Sequence, residues 1–474
     1  GGSAGGKGRN AAKARGRKDD GGGGGRGGKS GVFPQAKYIN MVICKAADRG
    51  DVQSLLNIVA TQASDMSCVN LSTAVHKLAR FAKMDGKWSI CPGDARFATL
   101  HSQIQVELRR QVQNGCALAS NSALVCEESL PRCWSTLAWA YGTLQVKGLD
   151  VATVFRMIGQ LSLAHLPSFK PLELTNLLWG FAKVKVADHR LFQASTQHIL
   201  SDLTPYSSSN LSTLIWAVVT AQVHDPDMVQ RVVEEFASRL RTSEVKPVEL
   251  TNLMWGLATA KLHPKAHVLF EVGGRALQLL PEFKLQELSI TCWSFSRLRA
   301  RYDRLFAGAA LHLCSSPALL QQIHPQGMAN LLWAFEKQTA MGSAAAEQIV
   351  AALSALIPRC LALLKQLKPQ EFACVFRALA RMGVQWGGSP EADVLFVSAA
   401  GVGLGLLRRL SAPQCIDLVS AFSGFLRVPS DSVPEVFASF LEALAQRCLD
   451  NVSELGSSGA MHLVEVAAGA VYRF

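Results

Sequence analysis

Glu173-Leu174-Thr175-Asn176-Leu177-Leu178-Trp179-Gly180-Phe181-Ala182-Lys183 decides the fold, because the chain repeats it. A near copy is Glu249-Leu250-Thr251-Asn252-Leu253-Met254-Trp255-Gly256-Leu257-Ala258, and a third is Asn330-Leu331-Leu332-Trp333-Ala334-Phe335. Looser copies centre on Trp139, Trp216 and Trp293, so the six tryptophans are spaced 40, 37, 39, 38 and 40 residues apart. A fixed period in this range with one large core residue per unit marks a solenoid.

The copies extend both ways. Asn70-Leu71-Ser72-Thr73-Ala74-Val75-His76 parallels Asn210-Leu211-Ser212-Thr213-Leu214-Ile215-Trp216, with His76 at the tryptophan position. The 63-residue step from His76 to Trp139 implies an insertion near 84–94. Beyond Trp333, Arg377 replaces the tryptophan after 44 residues, 417–422 is a weaker copy, and 460–467 begins another. Second apolar helices fall at 189–200, 227–240, 266–280 and 435–448, and the loops carry Lys170-Pro171, Lys246-Pro247, His324-Pro325, Lys368-Pro369 and Ala412-Pro413. Proline fits a first helical turn, where its missing N–H costs nothing. Sustained period-2 alternation is absent, so the predicted fold is all-α: an α-solenoid of helical hairpins with a period of about 38–40 residues. The predicted organisation is a basic tail at 1–31 and an array at 38–467. Its first repeat is irregular (38–110), its middle regular (130–345) and its last part degenerate and capping (346–474).

Net charge is +12, half of it in the Gly-rich tail, which is too poor in apolar residues to order itself. A basic balance favours an anionic partner, nucleic acid first. The tail contains a literal G-x-x-x-x-G-K-S match from Gly23 to Ser30, but no apolar strand precedes it and Phe33-Pro34 follows it. Phosphate binding needs a strand before such a loop and a helix after it, so the match reads as an accident of composition. Twelve scattered cysteines without a CxxC pair read as reduced core residues. His263 and His267 lack a third ligand, and neither a nucleophile elbow nor a repeated carboxylate pair occurs. The expectation is a protein with no cofactor, no metal and no catalysis. A run of 18 apolar residues is also missing, so no membrane insertion is expected.

At about 100° per residue, Leu174, Leu177, Leu178 and Phe181 form one stripe, with Trp179 about 140° from Leu174. The tryptophans Trp139, Trp179, Trp216, Trp255, Trp293 and Trp333 therefore read as core between repeats, followed by a small residue that permits close helix approach. A third azimuth carries the residues three before and four after the tryptophan position. Three before, the chain reads Thr73, Thr136, Asn176, Thr213, Asn252, Ile290, Asn330, Cys374. Four after, it reads Arg80, Thr143, Lys183, Thr220, Thr259, Arg297, Lys337, Arg381. Neither column contains an acid. Stacked, they form a polar, basic stripe suited to single-stranded RNA, with Asn and Thr on base edges and Lys and Arg on phosphates. The Thr, Asn, Lys and Arg residues of both columns are the candidate RNA-binding set.

At L-T-N-L-L-W-G-F-A-K the chain resembles the organellar helical-repeat family. That family includes octotricopeptide and heptatricopeptide repeats, FAST-kinase-like repeats associated with RAP domains, and repeats of the RNA-editing substrate-binding complex. The resemblance covers about 38–467 and is strongest at 176–183, 252–258 and 330–335. It implies a protein of the mitochondrion, or alternatively the chloroplast, that binds organellar mRNA or rRNA together with ribonucleoprotein partners. Its implied roles are transcript stability, rRNA or mRNA processing, editing or translation. Two alternatives stand beside it: a protein-scaffolding solenoid without RNA binding, and an RNA-processing nuclease whose catalytic module lies outside this chain, since no RAP-like α/β segment follows Leu449.

Overall fold

The computed structural model describes residues 35–85, 93–118, 129–146, 148–242, 244–422 and 434–450. The basic tail, its phosphate-loop look-alike and the copy at 460–467 lie outside the described residues. The described chain is all-α and forms two layers. The first holds α1 (Gln35–Asp48), α3 (Cys68–Asp85), α5 (Leu130–Leu144), α7 (Pro171–Val184), α9 (Ser208–Thr220), α11 (Pro247–Ala260), α13 (Leu285–Arg297), α16 (Pro325–Ala340), α18 (Pro369–Arg381) and α20 (Ala412–Phe422). The second holds α2 (Val52–Gln62), α4 (Ala95–Leu118), α6 (Val151–Ala164), α8 (His189–Ser201), α10 (Pro226–Arg239), α12 (Ala266–Gln278), α14 (Asp303–Ser315), α17 (Ala346–Leu363), α19 (Pro390–Leu406) and α21 (Glu435–Asp450). The one-turn α15 (Pro317–Leu320) bridges α14 and α16. Every repeat motif within the described residues sits on a first-layer helix. From α3 to α20, successive first-layer helices touch over more of their length than successive second-layer helices.

Local chemistry repeats with the fold. The first-layer helices start where a side chain three residues on accepts the backbone N–H of the preceding cap: Glu173 from Lys170 at 3.0 Å, Glu287 from Lys284 at 3.1 Å, Glu371 from Lys368 at 2.9 Å. Asn70 and Asn210 do the same for Ser67 and Ser207. This occupies one of the N–H groups that a helix start leaves unpaired. The ends repeat too: six residues after the tryptophan position, Gln145, Lys185, Gln222, Lys261 and Arg299 take positive φ of 49° to 64°, and Gly383 takes 86°. A left-handed residue there stops each helix and turns the chain into the second layer.

The core lies between the layers, where Phe181 meets Phe155 edge-on at 4.8 Å and Leu174, Leu177 and Leu178 are fully buried. The small residue after each tryptophan position is buried between neighbouring first-layer helices. A Cβ on Gly180 would lie 2.5 Å from the carbonyl carbon and oxygen of Ala138, so α7 and α5 approach backbone to backbone there.

Two expectations are adjusted. The long first step arises partly from α4, which runs 24 residues where α8 and α12 run 13. Much of the proposed insertion at 84–94, and residues 119–128, lie outside the described residues. The expectation that no segment is long and apolar enough to cross a bilayer is corrected: Ala346–Gln366 and Pro390–Arg409 are both. In the structure they are ordinary members of the second layer, with Leu353, Leu356 and Cys360 of α17 and Leu395, Phe396 and Ala399 of α19 buried.

Candidate nucleic-acid interface

A groove runs along the first layer from α11 to α20, lined by Thr259, Arg297, Asn330 and Cys374 of the predicted columns, and the remaining column residues continue that line over α3–α9. Thr73, Thr136, Asn176, Thr213, Asn252 and Asn330 are half-buried on one side of it. Arg80, Lys183, Thr259, Arg297 and Arg381 are exposed on the other, with Thr220 and Lys337 half-buried beside them. Thr143 is a correction. It is only 6% exposed, because α7 lies so close to α5 that Trp179 and the Cβ of Lys183 crowd the neighbouring Gly142. A buried hydroxyl there cannot reach a strand in the groove.

The tryptophans pack against the core or against neighbouring repeats, as expected, but none is fully interior: all six are half-buried, on the same surface as the Asn/Thr column. The seam between adjacent helices is taken by smaller residues: those just after the tryptophan, and those four before it, among them Ser135, Thr175, Ser212, Thr251 and Ser289, all buried. Across this seam Asn210 Nδ2 donates to Thr175 Oγ1 at 3.2 Å, and the hydroxyls of Thr251 and Thr291 lie 3.1 Å apart. With the seam filled, each indole lies across its top, against the next repeat. Trp179 and Trp216 are 6.0 Å apart, Trp216 and Trp255 5.9 Å and nearly parallel, Trp293 and Trp333 6.4 Å. His76 continues the series at 5.2 Å from Trp139. The result is an interrupted ladder of ring contacts, in the runs His76–Trp139, Trp179–Trp216–Trp255 and Trp293–Trp333.

Charge is distributed unevenly along it. Lys183 places its ammonium 5.9 Å from the centre of Trp216, a cation–π contact. Among the described residues Arg80, Lys183 and Arg297 make no ion pair. The other two cations of the column do, through an acid one position away that the two-column reading missed. Glu336, 3% exposed, takes Arg381 at 3.2 Å and Lys337 at 3.3 Å. Arg377, at the tryptophan position of its repeat, pairs with Asp417 of α20 at 3.0 Å. At the other end His76 is held below its ordinary pKa by burial first and then by Arg80, Lys77 and Arg132, a sign of concentrated positive charge.

Away from the groove, His267 is bound to Glu234 at 3.0 Å, and no group of three metal-ligating side chains occurs among the described residues. Cys292 and Cys360 are fully buried and pushed up to about 12 by burial, as expected for unreactive core thiols.

Fold and groove define the class: an α-solenoid whose first layer carries an interrupted aromatic ladder beside a hydrogen-bonding column and a basic one. The chain belongs to the RNA-editing substrate-binding complex 6 protein family, whose sequence pattern matches residues 136–385, from α5 through α18. It is also 30% identical over 146 residues to FAST kinase domain-containing protein 4 of Rattus norvegicus, a match covering 28% of this chain and 23% of that protein. The chain therefore spans less than a quarter of that relative. Among solved structures, a circular tandem repeat protein with novel repeat topology aligns with 92% of this chain and 90% of its own, at 10% identity and a TM-score of 0.21.

Proposed function

We propose that the protein binds single-stranded RNA along the first-layer groove and serves, without catalysis of its own, in mitochondrial RNA metabolism, with RNA editing the foremost role. The observation that carries this reading is the ladder itself. A partly exposed aromatic row, with Asn and Thr on one side and cations unpaired among the described residues on the other, offers base edges and phosphates separate tracks. The name of the family, an RNA-editing substrate-binding complex, supports it, and so does the FAST kinase domain-containing relative. Such a complex also implies ribonucleoprotein partners.

The test is ultraviolet crosslinking of the protein inside the organelle, followed by sequencing of the attached RNA and mapping of the attached peptides. Crosslinks should fall in α7, α9, α11 and α13. RNA recovery at background level, or crosslinks confined to second-layer helices, would overturn the proposal. A protein-scaffolding role has one observation in its favour: α17 and α19 leave Val350 and Val394 exposed on the outer face, 46% and 54%. That face lies opposite the groove, and the two roles are compatible.

A further inference from the structure

The last run of ring contacts, Trp293–Trp333, ends beside a cleft. Trp333 has Trp293 on one side at 6.4 Å, but the next repeat puts Arg377 where a further indole would stand. Arg377 turns instead to α20 and donates from Nη1 to Asp417 Oδ2 at 3.0 Å. A cleft of about 640 Å³ runs from Thr259 and Arg297 past Trp333 to this ion pair, and its far end is walled by Asn330, Cys374 and Gln414. That is within the roughly 300–1,000 Å³ typical of sites for small ligands. Lys337, whose ammonium is 5.8 Å from the Trp333 ring centre, is held by Glu336 and does not line the cleft.

We infer that this cleft receives one unpaired guanine base of the bound strand, stacked on Trp333 with its Watson–Crick edge against the Arg377–Asp417 pair. The inference rests on the RNA-binding reading and adds a base preference to it. Among the described residues Oδ1 of Asp417 makes no hydrogen bond, and the Arg377 guanidinium, which also interacts with Cys374, lies beside it with its Nε buried. These groups present a carboxylate acceptor beside a guanidinium donor. Guanine alone offers two adjacent donors, N1–H and the N2 amine, next to the O6 acceptor. The carboxylate takes the two donors and the guanidinium gives to O6. Adenine and cytosine offer a single donor beside a ring acceptor, and uracil offers one N–H between two acceptors, so each satisfies the carboxylate only once. The edge is free only in an unpaired base, and a flat apolar wall favours a stacked ring. Between Trp179 and Trp255, by contrast, each ring already has a ring of the next repeat about 6 Å away.

The experiment is a fluorescence-anisotropy titration of the full chain with a 12-nucleotide oligouridine and with the same strand carrying one central guanosine, adenosine or cytidine. Guanosine should tighten binding about tenfold over oligouridine, the gain from one good bidentate contact, and the other bases by far less. The guanosine-to-uridine ratio should fall to about one in Asp417→Asn, and in Arg377→Trp, whose indole would extend the ladder into the cleft. In Lys183→Ala, far from the cleft, both strands should weaken and the ratio should hold. Oligouridine binding with no guanosine gain, an equal gain for adenosine, or a gain that survives Asp417→Asn overturns the guanine cleft and leaves the groove standing. Failure of every strand to bind at low salt overturns the groove reading, and the cleft with it.

Discussion

Replacing Arg80, Lys183 and Arg297 together by alanine tests the groove most directly, because these are the cations of the column that make no ion pair among the described residues. If each holds one phosphate, the salt dependence of binding becomes shallower by about 0.7 per contact for a single strand, or about 2 in all. Affinity should then fall about a hundredfold near 0.1 M salt but less than tenfold near 0.4 M, where counterion release contributes little. The assay is a titration of a short single-stranded RNA at four or five KCl concentrations, with the slope of log K against log salt as the readout. All three side chains are exposed, so the unfolding free energy should change by no more than about 0.5 kcal/mol per substitution. A variant that loses affinity with an unchanged slope would mean that these residues do not face phosphate. One that keeps full affinity would place the RNA on another surface.

Three further outcomes follow from single features. Glu336→Gln removes the acid that holds Lys337 and Arg381, so RNA binding should tighten several-fold at low salt and its slope should steepen by about 1; an unchanged slope would show that the two cations point away from the strand. Gly180→Ala should destabilise the protein by about 1–3 kcal/mol, since its Cβ meets the backbone of Ala138 at 2.5 Å. Gly256→Ala should cost less, because its obstacle is a methyl of Ile215, and equal losses in urea unfolding would contradict that distinction. Acidification should weaken the fold through His101, held below its usual pKa mainly by burial and 2.9 Å from the Tyr141 hydroxyl, and through His76. The unfolded chain binds protons below about pH 6.5 that the folded chain resists, so this stability is intact above that pH and declines as the pH falls through it towards the lower folded values. Thermal midpoints at pH 7.5 and 5.5 measure the effect, and His101→Gln should flatten it.

Much of this was legible in the chain because a solenoid makes long-range structure periodic. Each repeat meets the next in the same way, so residues aligned by Trp179, Trp216 and Trp255 also align in space. The half-buried Asn/Thr column and the exposed Lys/Arg column were found by counting from the tryptophan alone. Guanine-cleft residues such as Asp417 were harder to see, since they matter only through a partner some 40 positions away on the neighbouring helix.

The sequence by itself determined the all-α class, the period, the helix carrying each motif and the side of that helix left for polar residues, because a 3.6-residue period assigns every side chain an azimuth. It did not determine how closely the neighbouring helix would approach that azimuth. The backbone contact of Gly180 with Ala138 draws α5 and α7 together and buries Thr143, while the filled seam leaves the indoles lying across its top, half in the groove. Which cations stay free was likewise settled only in three dimensions. Glu336 reaches both its sequence neighbour Lys337 and Arg381, 45 residues on, and only the packing of α16 against α18 brings the second within 3.2 Å.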